Sequence, residues 1–218
     1  MTTTKLTIGK LSDSQRKAAQ ERAKLPDGQN LMFVVTHAGR GKRKGKEEGD
    51  LEFPTISMKV APLEEDGDIE TKRPNLSVFH SVDVPCAEIP EDKIQMVLGS
   101  CRTFLKILEV ELDNKFPVWM KDDKKWADAD GNFITPDAAS ALKNAANDEI
   151  AERISALYLA LPEDAENLLD IKELGDHPLA QNVAFYATTK HNKEYVNVQS
   201  VRVSLDRDGK PVAYGKIK

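Results

Sequence analysis

The chain has 218 residues, room for one domain with insertions or for two small ones, and 40% of them are apolar, enough for a core. It is 31% charged, and no run approaches the ~18–20 apolar residues of a membrane helix, so it reads as a soluble protein. A net charge of −5 argues against a domain that is basic throughout, the usual footprint of a nucleic-acid binder.

Charge acts locally, because salt screens it beyond about 10 Å, so an acidic protein with one basic groove can still bind a phosphate backbone. Met1-Thr2-Thr3-Thr4-Lys5 lacks the apolar stretch of a signal peptide, and a cytoplasmic location is expected. Residues 1–24 read as a helical arm, with Ser12 as N-cap and Gln15 as its capping-box partner. Leu25-Pro26-Asp27-Gly28 reads as a turn.

Residues 25–112 carry three predicted strands and a helix. The first strand spans about Asn30 to His37, and a Gly-rich basic loop from Gly39 to Lys46 follows. That loop holds Arg40, Lys42, Arg43, Lys44 and Lys46, with Glu47, Glu48 and Asp50 directly after it. The second strand, about Phe53 to Ala61, alternates apolar Ile56, Met58 and Val60 with polar Thr55, Ser57 and Lys59. In the third, about Asn75 to Val84, Leu76, Val78, Val82 and Val84 share one face. Phe79 falls on the polar face with Ser77, Ser81 and Asp83. From Ile89-Pro90 to about Leu112, Ile94, Val97, Leu98, Cys101, Leu105 and Leu108 mark one face of a helix. Cys86 and Cys101 have no ligand-spaced neighbours and read as buried thiols.

Residues 113–178 read as a helical insertion: an irregular stretch to 135, then a helix from Thr135-Pro136 to Pro162, then a short acidic helix from about Glu163 to Leu174. Trp119 and Trp126 fall in the irregular stretch near Lys115, Lys121, Lys124 and Lys125; they are expected to anchor the insertion to the barrel, with base stacking as the alternative. Residues 179–218 return to strands, at Gln181 to Thr188 and Lys193 to Leu205, around a turn at Lys190-His191-Asn192. The fold expected is mainly β with a helical insertion, an α+β chain. Its element order is compatible with a five-stranded OB-like Greek-key barrel, and an α+β sandwich is the competing architecture.

Two features point to a single-stranded nucleic acid. Phosphates need cations at roughly nucleotide spacing, which the basic hairpin offers together with Lys59 and Lys193. Bases need exposed aromatic faces, which strand parity offers at Phe79, Tyr186 and Tyr195. A solvated hairpin tip and ordinary strand aromatics are the alternatives. No phosphate-loop or nucleophile-elbow motif is present, and neither enzymatic activity, cofactor nor metal is expected. Asp50, Glu52 and Lys59 faintly resemble a nuclease set, and His37, His80, His177 and His191 are scattered.

Leu25-Pro26-Asp27-Gly28, the Lys/Gly-rich first hairpin, the helix after strand three and the closing strand Lys193-Glu194-Tyr195-Val196-Asn197-Val198 together resemble phage single-stranded-DNA-binding proteins of OB fold. The likeness covers about residues 25–110 and 180–203. It implies non-sequence-specific binding of single-stranded DNA in replication or recombination, with replication or recombination proteins as partners. The insertion departs from that pattern, as does the basic end Tyr214-Gly215-Lys216-Ile217-Lys218, where many such proteins carry an acidic tail. A protein-interaction module, for example a phage-encoded inhibitor or assembly factor working through the acidic insertion, is the alternative function.

Overall fold

The computed structural model describes residues 25, 30–44, 52–63, 78–163, 168–181, 183–191 and 196–203. The expected amino-terminal helix lies outside them. The mainly β, α+β organisation is borne out: among the described residues nine strands form two sheets, one α-helix packs on the larger sheet, and a second packs against the first helix.

β1 (Asn30–Lys44) organises the large sheet. It pairs antiparallel with β2 (Glu52–Pro62) from Phe33↔Pro62 to Lys44↔Glu52. On its other edge it pairs with β8 (Ala184–His191) from Asn30↔Thr188 to Val34↔Ala184. It then pairs with the short β7 (Leu169–Asp170) at His37 and Ala38. A bulge between Val35 and His37 separates those two partners, bending the strand as an extra residue does. β2 pairs antiparallel with β3 (Val78–Asp83), and β8 pairs antiparallel with β9 (Val196–Val203). β3 and β9 run parallel, joined at Val78↔Val196 and Phe79↔Asn197.

Strand alternation fixes the core. Phe33, Val35 and Ala38, then Ile56, Met58 and Val60, then Val78 and Val82, with Phe185 and Ala187, turn inward and are buried. Each large side chain removed from water contributes roughly 1.5–3 kcal/mol. Phe33 and Phe185 are opposite each other, their rings 6.4 Å apart.

α1 (Glu91–Ile107) buries Val97, Leu98, Cys101, Phe104 and Leu105, the face expected from their spacing. It stops short of Leu112 because Glu109 turns left-handed, with φ of 57°. The N–H of Val110 then donates to Leu105 O and that of Glu109 to Lys106 O, a Schellman ending built without glycine. Burial pushes the Cys101 thiol up to about 12, which leaves it an inert core residue.

The expected long helix is present as α2 (Pro136–Ala160). Thr135 Oγ1 accepts the N–H of Ala138, and proline stands in the first turn. Its Ile150, Ile154 and Leu157 join the same core cluster as α1. Glu149, also buried, accepts the N–H groups of Asp113 and Asn114 and the Asn114 side chain, fastening the chain beyond α1 to α2. These bonds hold its carboxyl below the usual range.

Two expectations are corrected here. The stretch 113–135 contains a small antiparallel sheet of β4 (Val118–Met120), β5 (Lys125–Ala127) and β6 (Phe133–Ile134). Its strands are too short to give a periodic signal. The supposed acidic helix before Gly175 is, over its described residues, β7 followed by a 3-10 turn at Ile171–Glu173. Ile171 and Leu174 are buried there and Gly175 adopts a φ of 59°.

Two histidines belong to this framework. His177 Nδ1 accepts the N–H of Leu179, so Nε2 carries the proton and donates to Leu157 O. Burial lowers its pKa. His80 sits against Phe185 with centroids 5.8 Å apart, and burial, partly opposed by a hydrogen bond with the Val198 backbone, lowers it to about 4. Both take up protons less readily folded than unfolded. Stability is therefore full above the ordinary histidine value of 6.5 and falls as pH drops towards about 4. Urea midpoints measured against pH should show that decline, and replacing both histidines by glutamine should flatten it between pH ~6.5 and ~5, above the carboxylate range.

Candidate nucleic-acid interface

The basic stretch is strand rather than loop up to Lys44, because Gly39 to Lys44 pair with Ser57 to Glu52. This corrects the expected loop from Gly39 to Lys46. Among the glycines that suggest a loop, Gly41 has a packing role. A Cβ there would lie 2.0 Å from Ser57 Oγ and 2.8 Å from Thr55 Oγ1, so the hairpin closes tightly only over glycine.

Being in a strand splits the cations between faces. Arg40 continues the inward set of Val35 and Ala38. Its Nε donates to the carbonyls of Tyr158 (3.1 Å) and Leu161 (2.9 Å), and Nη2 to that of Leu159 (2.7 Å). The guanidinium also lies over the Tyr158 ring, 5.2 Å from its centroid. Its side chain is 15% exposed, and it occupies the negative end of the α2 dipole rather than a phosphate position. Arg43 turns outward, but Nη1 donates to Asp83 Oδ2 at 2.9 Å and Nη2 to Ser81 Oγ at 2.8 Å. Lys42 is exposed. Lys44 stands opposite Glu52 at the end of β1, and Lys46 lies outside the described residues.

The other expected contacts fall elsewhere. Lys59 and Phe79 are direct neighbours across β2 and β3, half-buried on the outer face, while Met58, Val60 and Val78 point in. Phe79 pairs onward with position 197 of β9, and position 197 with Lys190 of β8. Lys190 is exposed, next to buried Thr189. One cross-strand row therefore reads Lys59, Phe79, 197, Lys190, with neighbouring strands about 4.8 Å apart. This corrects the expected turn at Lys190-His191-Asn192: the strand continues past Thr188 to His191, and Lys190 belongs to it. Extending the alternation of Tyr186 and Thr188 by two residues would have found it.

Tyr186 is half-buried, opposite Met32 and position 202. It shares the outer surface with Phe79 but lies four residues along β8 from the row, roughly 13 Å. The backbone of Arg43 is further off, opposite Phe53 and six residues along β2 from Lys59, roughly 20 Å, but its guanidinium reaches back to Ser81 and Asp83, two and four residues along β3 from Phe79. Lys193 and Tyr195 lie outside the described residues. The single groove expected from sequence is thus two regions, an outer row around Phe79 and the distal end of the first hairpin.

Trp119 and Trp126 face each other edge-on across β4 and β5, 5.2 Å apart, and Trp119 stays 45% exposed. Asp83 is the unusual polar group. Burial pushes its carboxyl up while Arg43 draws it down, and Oδ1 is buried with no hydrogen-bond partner. No family model, curated protein or solved structure matches the chain.

The split of the cations is measurable. Arg40→Ala removes the charged donor shared by the carbonyls of Tyr158, Leu159 and Leu161 and should cost about 2–3 kcal/mol in urea unfolding, the scale of hydrogen bonds to a charged group. Lys42→Ala should stay within about 0.5 kcal/mol of the parent, as exposed surface changes do.

Proposed function

We propose that the protein is a single-stranded nucleic-acid binder of OB type, in which a strand crosses the outer face of β2, β3, β9 and β8. The observation that carries the reading is the row of Lys59, Phe79 and Lys190. It offers one aromatic face to a base between two cations for phosphates, without requiring a particular base. The order of pairings, from β1 through β2, β3, β9 and β8 back to β1 with β3 parallel to β9, supports an OB-like five-stranded barrel. In that fold the face of the second and third strands is a usual binding surface. The resemblance to phage single-strand binders favours DNA over RNA, with replication or recombination in the host cytoplasm as the setting. Lys42, Lys44 and Lys46 of the hairpin, and Lys193, Tyr186 and Tyr195, extend the contact. Arg40 holds the fold.

A second reading as a protein-interaction module draws on the insertion, where Val118, Trp119, Met120 and Phe133 are all more than 40% exposed. Capture of a host protein that survives nuclease treatment and is lost on Trp119→Ser with Phe133→Ser would favour it.

The test of the main reading is fluorescence anisotropy with labelled oligo-dT at low salt. Binding should weaken as salt rises, and replacing Lys59 and Lys190 by alanine should reduce the log–log salt slope by about 1.4, roughly 0.7 per phosphate contact. Phe79→Ala should lose about 1–3 kcal/mol of affinity. Absence of binding at low salt with more than about 100 μM protein, beyond the non-specific range of nucleic-acid binders, overturns the reading.

A further inference from the structure

Among the described residues β3 and β9 are joined at Val78 and Phe79, and α1 packs against both strands. Among the described residues, a cleft of about 440 Å³ lies where these elements meet. That volume is within the ~300–1,000 Å³ of small-ligand sites. Its walls include apolar Val82, Phe104 and Val201, with Arg43 and Asp83 as charged groups.

Two features of the cleft are unexplained by folding alone. The first is the carboxylate of Asp83. Oδ2 accepts from Arg43, whereas Oδ1 has no partner, an arrangement that costs about 1–3 kcal/mol for a buried acceptor. The terminal torsion of aspartate is broad, so Oδ1 can swing towards the cleft with Oδ2 still near Arg43. The second is Gly99 in the middle of α1. Glycine there costs the helix about 1 kcal/mol, yet a Cβ at that position would meet nothing within 4 Å. The glycine lines the cleft and keeps its wall low.

We infer that this cleft takes a nucleobase carrying an exocyclic amino group, which donates to Asp83 Oδ1 while the ring lies against Met96 and Val201, over a floor of buried Val82 and Phe104. Arg43, its side chain 48% exposed, can meet the adjoining phosphate. The inference rests on the single-strand reading above and adds base preference to it. Asp83 follows Phe79 and Ser81 on the outer face of β3, so one strand can serve both places.

Cytosine and thymine separate the idea cleanly, because cytosine presents an amino donor where thymine presents a carbonyl acceptor. Oligo-dC and oligo-dT are titrated against the full chain by anisotropy at one salt concentration. The parent should bind oligo-dC about fivefold or more tightly than oligo-dT. In Asp83→Asn the carbonyl oxygen stays with the Arg43 donors and the amide NH2 takes the place of Oδ1, so the preference should reverse. Gly99→Phe, which fills the cleft from a position with no neighbours, should abolish the preference and leave oligo-dT affinity unchanged. Equal, salt-sensitive binding of both oligonucleotides overturns the cleft assignment and leaves the single-strand reading standing. So does a cytosine preference that persists in both variants. Failure to bind either oligonucleotide overturns both.

Discussion

The guanidinium of Arg40 stands where three requirements meet. A helix of 25 residues is capped by Leu161, whose N–H satisfies only the Tyr158 carbonyl among those of the last turn. A cation from the first strand supplies further donors, and its aliphatic stem passes over the interior beside Ala38. Only arginine satisfies the geometry, because its planar fork offers several N–H groups at fixed angles, while lysine offers a single point of charge. The contact sets where α2 lies against the large sheet. It also helps explain why the insertion shares one core with α1 and the strands instead of forming a body of its own.

Much of the scaffold was legible because its signals are local. Thr135-Pro136 and Pro162 bracket α2, and the alternation around Met58 and Val82 gives the faces of β2 and β3. The failures share a cause: each depends on a partner distant in the chain or on a residue that does not advertise its role. Glycines and cations from Gly39 to Lys44 look like loop, yet glycine at 41 is what lets β1 lie against the hydroxyls of β2. Glu109 ends α1 in a conformation that sequence patterns assign to glycine. Nothing near Arg40 announces a helix terminus 118 residues on. Glu149 looks like one more surface acid of α2, and only the fold shows it gripping Asp113 and Asn114.

The distribution of charge follows from the same geometry. Strand pairing sorts neighbouring cations onto opposite faces, so five basic residues in seven are not five phosphate ligands. One is committed to a helix end and one to Asp83. In exchange, pairing across strands gathers residues that sequence keeps far apart, and Lys59, Phe79 and Lys190 come into line. Local density of charge is thus a poorer guide to a binding face than register is.

β1 has one early partner and one late one. Its hairpin with β2 is local and can form soon after both strands leave the ribosome, at synthesis rates of about 5–20 residues per second. Its other edge, from Asn30 to Val34, must wait for β8, which follows both helices and the small sheet. Until then Phe33 has no Phe185 to meet, and β1 and β3 both expose unpaired backbone. Such long-range closure is slow, and it leaves open edges available to other chains. The length of the segment between β3 and β8 is therefore a kinetic load on folding. The rest of that edge waits as well, because β7, which takes His37 and Ala38, also follows both helices.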